Sequence, residues 1–197
     1  VSNFEQEWIQ QALNGDEAAF TKIVETYQRP VYNLCYRMLG DPIDAEDAAQ
    51  EAFWRAYQNL KRYDQTRSFP TWLLSIAAHY CIDQQRKRRI PILSVDLLPE
   101  EDAPDPAPNP ERVVGELEES SQMRRLLGKL GTQDRAAVIL RYWYEFSEEE
   151  IARTLSLTVS AVKSRLHRAR KELAQNWRET QPVNALSARR KHESPAI

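Results

Sequence analysis

Glycine is scarce: five residues in 197, and nowhere do Val, Ile and Thr alternate between glycine turns. Half-buried strands need that alternation, so a β architecture is excluded. Cysteine is scarcer still, with Cys35 and Cys81 alone, each in an apolar stretch. Two such residues make no disulfide framework and read as reduced core thiols of a cytosolic protein. The three histidines, His79, His167 and His192, are scattered without metal-ligand spacing, and no glycine-rich phosphate loop occurs. The chain is therefore not expected to be an enzyme, nor to hold a metal or any other cofactor. No apolar run is long enough for a membrane span or a signal peptide, so a cytoplasmic location without membrane insertion is expected.

The formal net charge of −2 hides a strong polarity. Between Ile90 and Glu119 nine acids face one base, Arg112, whereas Ser160 to Lys171 holds five bases and no acid. The acidic stretch also concentrates proline: six of the eleven lie at Pro91, Pro99, Pro104, Pro106, Pro108 and Pro110. Such a segment cannot bury enough apolar surface to fold alone and reads as an extended, flexible linker.

What fills the rest is helix periodicity. The expected class is all-α: two small helical domains, 1–90 and 111–177, joined by a linker at 91–110, with a polar tail at 178–197 that frays. Four helices are expected in the first half. The first spans Phe4 to Leu13; the second follows Asp16 as cap and ends at Gly40. Pro30 lies inside the second and predicts a kink or break near Gln28. The third starts at Asp41-Pro42 and reaches about Leu60. The fourth is capped by Ser68 and ends before Pro91. In the second half helices are expected at Glu111–Leu130, Gln133–Tyr144, Ser147–Leu155 and Thr158–Trp177.

Ser147 with Glu150 makes a capping box, and Ser156-Leu157 a short turn. Val159, Val162, Leu166, Ala169 and Leu173 then form one apolar stripe, opposite Ser160, Lys163, Ser164, His167, Arg168 and Lys171. A capped helix, a short turn and a second helix with a basic, hydroxyl-rich face suit the major groove. Arg168 is placed to bond guanine bidentately, with Lys163 and Ser164 near neighbouring base edges. Arg165, Arg170 and Lys171 are expected to clamp phosphates.

On the third helix Ala45, Ala48, Ala49, Ala52, Ala56 and Leu60 make a small-residue stripe for close packing. Its other face carries Asp47, Gln50, Glu51 and an outward Trp54, the pattern of an interface anchor in a polar surround. Its acids also have a purely structural reading, through the helix dipole. The fourth helix ends in Arg86-Lys87-Arg88-Arg89, more cations than a helix terminus requires, which points to phosphate. Lys61, Arg62 and Tyr63 precede it, with Phe69 and Trp72 beyond. Aromatics beside cations can stack on unpaired bases, but Phe69 and Trp72 also suit a plain core.

Three motifs in this order resemble the extracytoplasmic-function (ECF) group of RNA polymerase sigma factors, over nearly all of Asp16 to Leu173. They are Asp44-Ala45-Glu46-Asp47-Ala48-Ala49-Gln50-Glu51-Ala52-Phe53, then Phe69-Pro70-Thr71-Trp72-Leu73-Leu74-Ser75-Ile76-Ala77, and a third, discontinuous set. That set is Leu140-Arg141-Tyr142, Phe146-Ser147, Glu149-Glu150-Ile151-Ala152, Val162-Lys163-Ser164-Arg165-Leu166 and Arg168-Ala169-Arg170. The resemblance implies an alternative sigma factor directing promoter recognition, melting and initiation. Asp47, Gln50, Glu51 and Trp54 would meet core polymerase, bound through its clamp and flap. Lys61, Arg62, Tyr63, His79 and Arg86, Lys87, Arg88, Arg89 would meet the −10 element, with a flipped base in the loop Lys61 to Ser68. Arg141, Ser160, Lys163, Ser164, Arg165, His167, Arg168, Arg170 and Lys171 would meet the −35 element. The linker would thread polymerase channels and imitate a phosphate backbone. An anti-sigma partner would cover both DNA- and clamp-binding faces, and the free chain would be a monomer.

The chain departs from the family at Ala78-His79, where Arg-Asn is usual. It reads as lacking a third globular domain and a long N-terminal extension, as in the minimal group. One alternative stays open from the second half alone: a helix-turn-helix regulator with a helical sensor domain, which predicts a ligand-binding dimer.

Overall fold

The computed structural model describes residues 3–89 and 114–180. These form α1 (Asn3–Leu13), α2 (Glu17–Leu39), α3 (Pro42–Asn59), a 3-10 turn (Leu60–Arg62), α4 (Phe69–Arg89), α5 (Val114–Lys129), α6 (Thr132–Trp143), α7 (Glu148–Leu155) and α8 (Val159–Thr180). No strand occurs among the described residues. The expected linker at 91–110 lies outside them, as does the start of the fifth helix at Glu111.

Local chemistry explains the boundaries. Asp16 accepts from the backbone N–H groups of Ala18 and Ala19 at 2.9 and 3.1 Å, so α2 starts there. It stops at Gly40, whose left-handed backbone (φ +86°) costs a glycine little and lets its N–H reach the Tyr36 carbonyl. Asp41 caps α3 through the Asp44 N–H, with Pro42 in the first turn, where its missing N–H costs nothing.

Of the kink or break expected near Gln28, no break occurs: α2 continues as helix through Pro30. A proline inside a helix costs about 3 kcal/mol. Here α2 packs against α1, α3 and α4 and buries Ile23, Val31, Leu34, Cys35 and Met38, which outweighs that cost. The alanine stripe of α3 is buried as expected and lets α3 lie close on α2 and α4. Phe69 is buried and belongs to the core, whereas Trp72 is half-buried at its edge. Cys35 and Cys81 are both buried and free, and their mutual hydrogen bond with burial pushes the Cys81 thiol up, which keeps it protonated.

In the second half α6, α7 and α8 pack on one another. The capping box at α7 is complete: Ser147 Oγ accepts from the Glu150 N–H, and the Glu150 carboxylate accepts from the Ser147 N–H at 2.8 Å. Ser156 ends α7 in the left-handed region (φ +54°) and directs its N–H to the Ala152 and Arg153 carbonyls. Thr158 Oγ1 then accepts from the Ala161 N–H and starts α8. Ser147→Ala should cost the C-terminal half about 1 kcal/mol, read as a lower urea midpoint; an unchanged midpoint would mean the box is dispensable. Helix α8 extends to Thr180, so Arg178 to Thr180 are helical where fraying was expected.

The two halves also touch. Helices α2 and α4 pack against α6, and α4 against α7.

Candidate nucleic-acid interface

Helix α8 separates its faces as its sequence predicts. Val162, Leu166 and Ala169 are buried, with Val159 and Leu173 at the margin. Ser160, Ser164 and Arg168 stand exposed in one row at four-residue spacing, and Lys163, His167 and Lys171 in the adjoining row. At 22 residues α8 is about 33 Å long, enough to cross the groove with both ends on phosphate. Lys163 Nζ lies 3.5 Å from Glu148 on α7, an exposed pair that costs little to exchange for phosphate.

Three basic residues take up protein partners. Arg165 turns inward, half-buried, and bonds Asp134 of α6 at 2.5 Å. It holds α8 on α6 and does not join the exposed face. Arg170 Nε donates to the Leu166 carbonyl at 3.2 Å, and Arg141 Nη1 to the Phe146 carbonyl at 2.9 Å, though both side chains are exposed.

In the first half, the loop after the 3-10 turn is built around Tyr63 and Asp64. The Tyr63 hydroxyl donates to the Arg67 carbonyl, and its ring meets Phe69 edge-on at 5.3 Å and Trp72 at 5.2 Å. Thr66 donates its hydroxyl and its backbone N–H to Asp64, holding that carboxyl below its usual range. The loop therefore has a defined shape, and Lys61 and Arg62 stand exposed beside it. A cleft of about 480 Å³ opens between the loop and α1, lined by Gln6, Gln10, Tyr63, Gln65 and Arg67 among others. Gln10 of α1 donates to Gln65 at 2.8 Å across it. That contribution of α1 was missed from sequence, because α1 carries no cation or motif to flag it.

Along α4, His79 is exposed and bonds the Ser75 carbonyl through Nδ1, while Ala78 is buried. Arg86, Lys87 and Arg88 are exposed. Arg86 pairs with Asp83 and Arg88 with Asp44 of α3, both at 2.5 Å. The Arg89 side chain lies outside the described residues.

A separate surface lies on α3. Asp47 and Gln50 are exposed, and Glu51 bonds Arg55 at 2.7 Å. Trp54 is 56% exposed and stacks at 6.3 Å on Tyr57, itself 38% exposed, while Phe20 of α2 meets Tyr57 edge-on. With Val24 and Phe53 they border a groove of about 490 Å³ between α2 and α3. Tyr57 and Phe20 were not singled out from sequence; the three-residue step from Trp54 to Tyr57 was the available signal. No described helix is long and apolar enough to cross a membrane.

Two family models match the chain: Sigma-70 region 2 over residues 23–90, and Sigma-70, region 4 over residues 120–173. The chain is 38% identical over 179 residues to the ECF RNA polymerase sigma factor SigW of Bacillus subtilis, spanning 87% of this chain and 95% of SigW. It is 35% identical over 164 residues to the ECF RNA polymerase sigma factor SigE of Mycolicibacterium smegmatis, spanning 81% of this chain and 63% of SigE. Two solved structures share the fold. CnrH, in complex with the cytosolic domain of CnrY, aligns with a TM-score of 0.68 at 24% identity, over 91% of this chain and 100% of CnrH. RpoE, in complex with the anti-sigma factor NepR from Bartonella quintana, aligns with a TM-score of 0.67 at 21% identity, over 82% of this chain and 98% of RpoE.

Proposed function

The chain belongs to the sigma-70 family, in its ECF group, and from that premise we propose a division of labour among its surfaces. It is an alternative sigma factor: it binds core RNA polymerase and promoter DNA and directs transcription initiation. A stand-alone helix-turn-helix regulator would leave the region 2 match at 23–90 without a role.

The C-terminal domain, 111–177, reads the −35 element with the exposed face of α8. Arg168 and Ser164 reach base edges, while Lys163, His167 and Lys171 flank them on phosphate. Arg141 and Arg170 supply outer phosphate contacts, and Arg165 positions the helix through Asp134. The N-terminal domain, 1–90, takes the −10 element along its loop and α4. Lys61, Arg62, Arg86, Lys87, Arg88 and Arg89 meet phosphate, and Tyr63 borders the cleft that accepts an unpaired base. Extruding that base costs a few kcal/mol, which stacking and hydrogen bonds in the cleft offset. Asp47, Gln50, Glu51 and Trp54 face the polymerase clamp, with Tyr57 extending the anchor. The segment 91–110 links the two domains in sequence. The chain performs no catalytic step of its own and works in the cytoplasm. CnrH and RpoE were solved with CnrY and NepR bound, which supports a comparable anti-sigma partner here.

The separation of buried and basic faces on α8 carries this reading. Run-off transcription with core polymerase on a promoter library tests it: start sites should be selected only when the chain is added. Lack of selectivity would overturn it. Arg86→Ala and Lys87→Ala should each reduce the salt dependence of −10 binding by about one unit of slope, irrespective of sequence. Sequence-selective losses would instead make them base readers.

A further inference from the structure

Helix α7 packs on α4, and beside that contact lies a cleft of about 160 Å³. Its walls are held from both sides. Arg135 of α6 ties the two halves together: its guanidinium donates to the Met38 carbonyl at the end of α2 at 2.6 Å and to the Gly128 carbonyl at the end of α5 at 2.7 Å. The loop before α4 is shaped by the bonds of Thr66 to Asp64 and of the Tyr63 hydroxyl to the Arg67 carbonyl.

The lining is rich in donors. Thr154 of α7 is 4% exposed and borders the cleft, yet its hydroxyl makes no hydrogen bond among the described residues. A threonine inside a helix commonly returns its hydroxyl to the carbonyl four residues back, as Thr21 and Thr26 do to Glu17 and Lys22 at 3.0 and 2.8 Å. Arg67 and Arg153 flank the same space, and neither guanidinium forms an ion pair or hydrogen bond among the described residues. Ser68 and Thr71 add hydroxyls at the start of α4, the positive end of its dipole. One acceptor stands among these donors. Glu150 commits one carboxylate oxygen to the Ser147 N–H at 2.8 Å, while the other accepts only a long bond from Thr71 at 3.4 Å. That second oxygen has room for a stronger donor.

So many donors around a space below the roughly 300 Å³ at which organic-ligand pockets begin suit a tetrahedral oxyanion. The carboxylate then selects among oxyanions. Sulfate and a DNA phosphodiester carry no proton at neutral pH and would meet Glu150 charge against charge. A phosphomonoester, with a second pKa of about 6, has mostly lost its proton there. Free phosphate keeps one, donates it to Glu150, and accepts from the guanidiniums and hydroxyls through its other oxygens. We propose that this cleft is a binding site for free hydrogen phosphate, with Arg67, Arg153 and Thr154 as donors and Glu150 as the acceptor that turns away sulfate and diesters. Binding there does not depend on which promoter element α4 meets.

Equilibrium dialysis of the full chain against radiolabelled phosphate, at constant ionic strength, tests the site. One phosphate per chain should bind saturably. Unlabelled phosphate should displace it, whereas sulfate, glycerol phosphate and dimethyl phosphate should each compete at least about tenfold less well, the scale of one charge-assisted hydrogen bond. Thr154→Val keeps the branched shape and removes the hydroxyl, and Arg153→Gln alters an exposed position. Each should lower phosphate affinity about tenfold, with thermal melting to confirm that the variant folds. Glu150→Gln keeps an oxygen for the Ser147 N–H and adds a donor to the cleft, so sulfate should then compete as well as phosphate. Absence of saturable binding, wild-type affinity in both Thr154→Val and Arg153→Gln, or equal competition by sulfate against the wild type would each overturn the site. Stronger competition by dimethyl phosphate would assign the cleft to the DNA backbone, and by glycerol phosphate to a phosphorylated ligand; either result overturns free phosphate as its occupant.

Discussion

Trp54→Ala is expected to weaken binding to core RNA polymerase by about 2–4 kcal/mol, the range of an aromatic hot spot. That corresponds to roughly 30- to 1,000-fold in Kd. The side chain is 56% exposed and, among the described residues, its one ring contact is with Tyr57, so the domain should keep its melting temperature. An exposed indole of this size leaves apolar area in water that the free chain gains nothing by exposing, and a partner surface recovers it. Polar neighbours Asp47, Gln50 and Glu51 would then fix orientation and exclude other partners more than they add affinity. Gln50→Ala with Glu51→Ala should therefore cost less than Trp54→Ala alone. Titration of labelled core enzyme reads both; an affinity unchanged by Trp54→Ala would remove α3 from the clamp interface.

Arg168→Ala is expected to cost about 1–3 kcal/mol at one position of the −35 element and little elsewhere, the loss of a bidentate base contact. No hydrogen bond or ion pair within the protein occupies its exposed guanidinium among the described residues, unlike those of Arg165, Arg170 and Arg141. Arg165→Ala should behave differently. It breaks a half-buried pair with Asp134, so its effect should fall on the melting temperature of the C-terminal half and on all promoters alike. Transcription from a panel of single-base promoter variants distinguishes the two patterns. Equal loss on every variant would make Arg168 a phosphate contact.

Much of the molecule was legible in its residues because the signals are local. Asp16, Asp41 and Ser147 mark helix starts by bonds to N–H groups two or three residues away, and all three caps form. The stripes on α3 and α8 follow from 3.6-residue periodicity, which sorts faces without reference to the rest of the chain. The reading failed where a distant contact outweighed a local cost. Pro30 argues for a break, but the helix is held by α1, α3 and α4, whose positions no proline rule contains.

The basic residues divide in the same way. Sequence placed cations at Arg86–Arg89 and on α8, and their side chains are exposed wherever described apart from Arg165. It could not tell which of them have a carboxylate waiting. Arg88 meets Asp44, 44 positions away, and Arg165 meets Asp134, 31 away. Arg135 carried no signal at all, since a lone arginine in the first turn of a helix is unremarkable until two helix ends converge on it.

By itself, then, the sequence determined the helices, their caps, their apolar and basic faces, and through three ordered motifs the family. These are encoded in intervals of a few residues, over which backbone geometry is nearly invariant. Tertiary structure alone decided which cations remain available to phosphate, how α1 completes the cleft beside the loop, and that α6 and α7 lie over the face of α4. Those outcomes depend on side chains far apart in the chain meeting within about 3 Å, the reach of a hydrogen bond, and helical periodicity carries no information about such meetings.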